Sequence, residues 1–141
     1  MALVVNLQRK IKLVLEPIKQ FSERLRENVS DVKGRDFSIA FVSDRRMKEL
    51  NSFFRGKDST TDVLSFPHES DEFDPDESKL GDIVISVEQA ERQAEENGLT
   101  LESETKQLIL HGVLHLCGYD HETDGGEMNK KELQLRRKLK I

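Results

Sequence analysis

One cysteine, three prolines and no tryptophan occur among the 141 residues. The lone Cys117 cannot close an intramolecular disulfide, so the fold must be held by its core, and a reducing interior suits the chain. Long apolar runs are missing as well. No stretch approaches the roughly 18 consecutive apolar residues of a membrane helix. The opening MALVVNLQRKIK has only a short apolar run before its charges, unlike a secretory signal. The cytoplasm is therefore the expected compartment, with no membrane partner. Nor is positive charge in excess: the net charge is −5 and the pI near 5.4. A polyanionic partner would need a local basic patch.

What the chain has is charge of both signs, 35% of residues against about 25% in ordinary globular proteins. The length predicts one domain, residues 1–141, that buries about two-thirds of its unfolded surface. Leu3 to Leu7 reads as a short buried strand. From about Arg9 to Glu27, Ile11, Val14, Leu15, Ile18, Phe21 and Leu25 recur near helical spacing, with Pro17 marking a kink or a late start. Gly34 turns a connector into the alternating strand Phe37–Phe41. Ser43 then caps a helix expected to turn Met47, Leu50 and Phe54 inwards and to end at Gly56. A polar loop leads to a strand at Val63–Phe66 that Pro67 stops. His68 to Lys79 is acidic and turn-rich, an exposed loop or hairpin tip. Gly81–Ser86 is another buried strand, and Ser86 with Gln89 opens a helix closed by Gly98. Thr100 caps the next helix, and Asp124 with Glu127 opens the last, running to about Leu139. The basic run Arg136, Arg137, Lys138 and Lys140 suits the negative end of that helix. Strands alternating with helices predict an α+β layered domain with a mixed sheet of about four strands and about five helices.

The chemistry concentrates between His111 and His121, the stretch HGVLHLCGYDH, which holds three of the four histidines. His111 and His115, four apart, share one face of a helix. Gly118 can end that helix with a positive φ and let the chain bring His121 back to the same point. Three neutral imidazoles converging without a fourth protein ligand is the arrangement of a catalytic zinc site, of zincin type, on a helix. The spacing matches the metzincin signature H-E-x-x-H-x-x-G-x-x-H except that Gly112 stands where the glutamate base would be, which argues against a peptidase. Asp120 and Glu122 flank His121 as partners for an imidazole or as solvated loop residues. His68 is a fourth ligand or a surface histidine. Cys117, two residues after His115, points elsewhere and reads as a small core residue. Arg55 offers a fork of donors suited to phosphate where a helix gives way to a glycine loop. With Arg45, Arg46, Lys48 and Lys57 it is either a solvated basic face or a phosphate clamp beside the metal.

The segments LNSFFRGKDSTTDVLSFP, GDIVIS and HGVLHLCGYDH, in this order and at these separations, resemble the bacterial YbeY family of metal-dependent endoribonucleases. The resemblance runs from about Phe37 to Glu132. It implies that His111, His115 and His121 bind one zinc ion, and that Arg55 serves substrate binding and, with His115, catalysis. It also implies ribosomal RNA as substrate, in 16S rRNA maturation and ribosome quality control, with the small subunit or its proteins as partners. Metal-activated water would attack a phosphodiester of single-stranded RNA. One departure is the loop after Ser59, Thr60-Thr61-Asp62, where many members carry a proline before the threonine; it touches loop stiffness rather than chemistry. Two other readings compete: a metalloprotease-like or other metal-dependent hydrolase, and a non-catalytic, zinc-containing, ribosome-associated binding module.

Overall fold

The computed structural model describes residues 2–69 and 77–141. Most of the acidic stretch expected as a loop between His68 and Lys79 lies outside them. Among the described residues, five α-helices pack on one four-stranded mixed sheet, and the expected α+β class holds. The strands are β1 (Ala2–Asn6), β2 (Asp36–Val42), β3 (Val63–Pro67) and β4 (Lys79–Ser86), in the order β1-β2-β4-β3. β1 and β4 run parallel to β2, and β3 runs antiparallel to β4 along the sheet edge. The parallel pair β1–β2 requires a crossover, which α1 (Leu15–Asn28) supplies.

Alternation sorts the two faces of the sheet. Phe37, Ile39 and Phe41 of β2 and Ile83 and Ile85 of β4 are buried in the main core, together with Ile18, Phe21 and Leu25 of α1. The opposite face holds a smaller cluster of Val42, Met47 and Leu64 beneath α2 (Asp44–Arg55). α3 (Val87–Asn97) follows β4 directly, and α5 (Glu127–Leu139) closes the chain. At the centre of the main core lies α4 (Leu101–Leu116), whose Ile109, Leu110, Val113 and Leu114 are fully buried. A helix apolar around most of its circumference belongs inside a domain. No helix among the described residues is long and apolar enough to cross a membrane.

Three expected N-caps are present, while the last helix has Gly126 rather than Asp124 at its N-cap and no side-chain cap. Ser43, Ser86 and Thr100 accept hydrogen bonds from the backbone N–H groups of Arg46, Gln89 and Ser103. Two expectations are corrected and one alternative is resolved. The Leu3–Leu7 strand is not a buried one: it is an edge strand in which only Val4 is buried, and Leu3 and Leu7 are exposed. Of the two readings of Pro17 the late start holds: the first helix begins at Leu15 rather than near Arg9, which leaves Pro17 in a first turn that needs no N–H from it. Phe54 does not turn inwards; Asn51 takes the buried position instead.

Two glycines set how closely the layers approach. Gly112, inside α4, faces the sheet: a Cβ there would stand 3.1 Å from Ile83 Cγ2 and 3.2 Å from Ser65 Oγ. Ser65 also donates to the Gly112 carbonyl at 3.2 Å. Gly81, paired with Pro67 across β3 and β4, has a φ of +149°. A Cβ at 81 would overlap the Phe66 carbonyl oxygen and stand 2.8 Å from Leu116 Cδ2. Backbone oxygen cannot move aside without opening the ladder. Gly81→Ala is therefore expected to cost about 2–4 kcal/mol, overpacking and backbone strain combined, in urea unfolding; an unchanged midpoint would contradict this close approach.

Candidate metal centre

The end of α4 explains how three histidines meet. Tyr119 N–H returns to the Leu114 carbonyl at 3.1 Å and Gly118 N–H to the His115 carbonyl at 3.0 Å, the two bonds of a Schellman motif. That motif needs a left-handed residue, and Gly118 supplies it with φ +98°. Tyr119 then anchors the returning chain, its hydroxyl donating to Asp31 Oδ2 at 3.0 Å. A turn follows in which the Asp120 carbonyl accepts from Thr123 and Asp124 N–H. His121 thereby lies over the helix end that carries His111 and His115.

The ring centroids stand 4.7 Å (His111 to His115), 5.6 Å (His111 to His121) and 5.5 Å (His115 to His121) apart. One nitrogen from each ring lies within 4.8 Å of the others, so the three residues could hold a metal ion. The chemistry of this donor set fits a cation. His111 and His115 bring their Nε2 atoms to 3.2 Å, an approach that only one shared proton or a common cation satisfies well. Burial, then the neighbouring His111 and His121, push the His115 pKa below its ordinary 6.5. Its lone pair is free at neutral pH.

Sequence reasoning missed Glu132. Its carboxylate lies 3.4 Å from His111 Nδ1 and 3.2 Å from Arg136 Nη2, with only 11% of the side chain exposed. Burial opposes its ionisation, but the hydrogen bond and charge of His111 and the charge of Arg136 prevail and lower its pKa. Accepting at Nδ1, Glu132 leaves the His111 Nε2 lone pair facing the cleft, the usual device for orienting a metal-binding imidazole. A signal existed. Met128, Glu132, Leu135 and Leu139 form one buried stripe of α5 in which the glutamate is the odd member. Arg136, expected only to balance the helix end, completes this chain. Asp120 and Glu122 line the cleft, but Asp120 Oδ1 accepts the Glu122 N–H. His68 lines a separate cavity with Leu3, Asp36 and Lys79. Cys117 is half-buried, and its thiol is pushed up to about 11, first by burial, which keeps it protonated.

A cleft of about 480 Å³ contains the three histidines, and Arg55 lines it from the end of α2. β3 forms its floor through Val63, Ser65 and Pro67. Gly56, at φ +66°, ends α2 directly after the arginine, and its N–H returns to the Ser52 carbonyl at 3.1 Å. The loop beyond is pinned back onto α2. Buried Asn51 donates to the Ser59 carbonyl at 2.8 Å, and Thr60 donates to Asp44 Oδ1. That same oxygen accepts from Ser86 at 3.1 Å and Gln89 at 3.0 Å. Burial works against ionisation of Asp44, yet these three hydrogen bonds and Arg92 outweigh it and hold its pKa below 3.8. Such bonds fix the loop without a proline.

With this geometry in view, comparison with known proteins is specific. Residues 4–140 match the family model described as Endoribonuclease YbeY. The Endoribonuclease YbeY of Nautilia profundicola is 50% identical over 107 residues, 76% of this chain and 74% of that one. The protein of the same name from Aquifex aeolicus is 44% identical over 127 residues, 90% and 82% of the two chains. The solution structure of a Thermotoga maritima protein superposes with a TM-score of 0.66 at 31% identity, covering 99% of this chain and 89% of that one.

Two outcomes test the geometry. The protein is expected to bind a divalent transition metal in calorimetry, and Glu132→Gln to weaken that binding by about 10- to 100-fold; equal affinities would reduce Glu132 to a packing residue. Asp44, whose folded pKa lies below its unfolded value, stabilises the fold above about pH 3.8 and loses that effect as pH falls through the folded value. Asp44→Asn should thus unfold earlier than wild type at pH 7, with the gap closing in strong acid. A gap constant down to pH 2 would disprove the linkage.

Proposed function

The chain belongs to the Endoribonuclease YbeY family, and on that premise we propose that it is a metal-dependent endoribonuclease cutting single-stranded RNA. The observation that carries the reading is the cleft shared by Arg55 and the three histidines. His111, His115 and His121 would hold one zinc ion, which when bound supplies Lewis acidity and acidifies water. The chain's own residues do the rest. Arg55, exposed and without an ion pair among the described residues, is available to grip a phosphodiester with paired donors. Glu132, in contact with His111 Nδ1, orients that ring with its other nitrogen towards the cleft, and burial favours the neutral form of His115. Negative charge growing on the phosphate then faces a fixed guanidinium rather than mobile water.

Ribosomal RNA is the proposed substrate, in 16S rRNA maturation and ribosome quality control. The small ribosomal subunit is the partner that would bring an acidic protein to a polyanion, and the reducing cytoplasm is the compartment that suits a lone cysteine. All of this is assigned to residues 1–141 acting as one domain.

A peptidase reading has one observation in its favour. β3 is a sheet edge along the cleft, and an extended peptide could pair with it. Gly112 weighs against it, because no glutamate base stands at 112, where even a Cβ would press on Ile83 and Ser65.

The test is cleavage of a single-stranded RNA oligonucleotide with metal content measured in parallel. His115→Ala should lose metal and activity together. Arg55→Ala should keep its metal and cut about 10²- to 10³-fold more slowly, the usual cost of one transition-state donor. Equal cleavage by His115→Ala would overturn the reading, cleavage of peptides but not RNA would favour the peptidase, and a metal closed by four protein ligands with no turnover would favour a binding module.

A further inference from the structure

The most exposed aromatic side chains of the described residues directly precede Arg55, a residue of the cleft, in α2. Phe53 is 81% and Phe54 57% exposed, in the last turn of α2 immediately before Arg55. Their rings meet edge to face with centroids 4.8 Å apart at 77°, and Phe54 meets Phe66 of β3 at 5.1 Å and 67°. The three rings form a ladder from the edge strand outwards, in which Phe66 braces Phe54 and Phe54 braces Phe53. Leaving two large rings in water brings no folding advantage, because neither joins a buried core cluster.

The charge around them is the reverse of the chain's average. Residues 44–58 carry five basic and three acidic side chains within a chain of net charge −5. Arg45, Arg46 and Lys48 are engaged with Glu49 and Asp58. Arg55 and Lys57, which bracket Gly56 next to the rings, have no ion pair among the described residues. A protein-docking patch is depleted of charge at its centre. Exposed aromatic faces flanked in sequence by Arg55, which lines the cleft, and by Lys57 instead match single-stranded nucleic acid, which offers bases to the rings and phosphates to the cations.

We infer that Phe53 and Phe54 form a base-stacking subsite for the RNA strand where it leaves the cleft past Arg55. The inference rests on the endoribonuclease reading and deepens it. Arg55 holds the phosphate at the cleft, the next unpaired base stacks on the Phe54–Phe53 ladder, and Lys57 faces the following phosphate. Stacking tolerates any base, so the subsite selects unpaired RNA rather than sequence.

The absence of tryptophan makes a direct test available. Phe53→Trp creates a unique fluorophore on the exposed ring, and in a His115→Ala background RNA is not consumed. A single-stranded RNA 12-mer should quench this tryptophan, and the same 12-mer with abasic sites should quench it far less. In the active enzyme, Phe53→Ala should raise KM on the 12-mer roughly tenfold or more with kcat little changed, and Phe53→Tyr should restore it. Trp fluorescence and KM both unmoved, while wild type still binds and cuts RNA, would overturn the subsite and leave the patch to a protein partner. Failure of wild type to bind or cut the 12-mer at all would instead bring down the endoribonuclease reading and the subsite with it.

Discussion

The contact between Gly112 and the sheet is the constraint on which the site depends. Glycine inside a helix costs about 1 kcal/mol relative to alanine. Here it lets the axis of α4 settle against Ile83 and Ser65 at a distance no other residue would leave undisturbed. A helix held that close cannot rotate, because Ile109, Leu110, Val113 and Leu114 are buried around it. The face left over carries His111 and His115. Their direction is thus decided by the packing of the helix around them, and they emerge beside β3, where the cleft forms.

The same contact reshapes the chemistry. In the metzincin signature a glutamate follows the first histidine, but here that position is a glycine in close approach to Ile83 and Ser65 and offers no carboxylate. Acidic groups come to the site from elsewhere, through Glu132 on α5 behind His111 and Asp120 near His115. A carboxylate at Nδ1 orients the ring instead of removing a proton from water in the cleft. In the proposed reaction such a site would rely on charge stabilisation from Arg55 more than on a side-chain base, a division of labour that fits phosphate chemistry better than peptide chemistry.

Much of this was legible in the residues because it is local. The i, i+4 histidines and the glycine that reverses the chain are matters of helix geometry, and Ser43, Ser86 and Thr100 declare themselves as caps by residue type. What escaped depends on tertiary placement. Phe54 has the spacing of a core residue, but α2 has only a small apolar cluster to cover and buries Asn51 to hold the Ser59 carbonyl. β1 looks buried by composition, yet its place at the sheet edge leaves Leu3 in solvent. Glu132 lies eleven residues beyond the motif, and its role appears only once α5 folds back onto α4.

The loop after Arg55 shows how two local solutions can serve one end. A proline in place of Thr60, before Thr61, would stiffen the backbone by removing conformations from the unfolded chain. Without it, the loop is held by donors converging on one oxygen of Asp44 and by Asn51 beneath it. The two devices differ in what they couple. Proline acts on its own segment alone, whereas Asp44 joins the start of α2, the end of β4 and the start of α3 to the loop. The position of Arg55 is therefore tied to the sheet that also seats α4. Arg55 and the three histidines, lining one cleft over β3, are located by one framework rather than by a flexible loop, and the proposed role of Arg55 as a phosphate clamp would need that rigidity because small displacements cost large factors in rate.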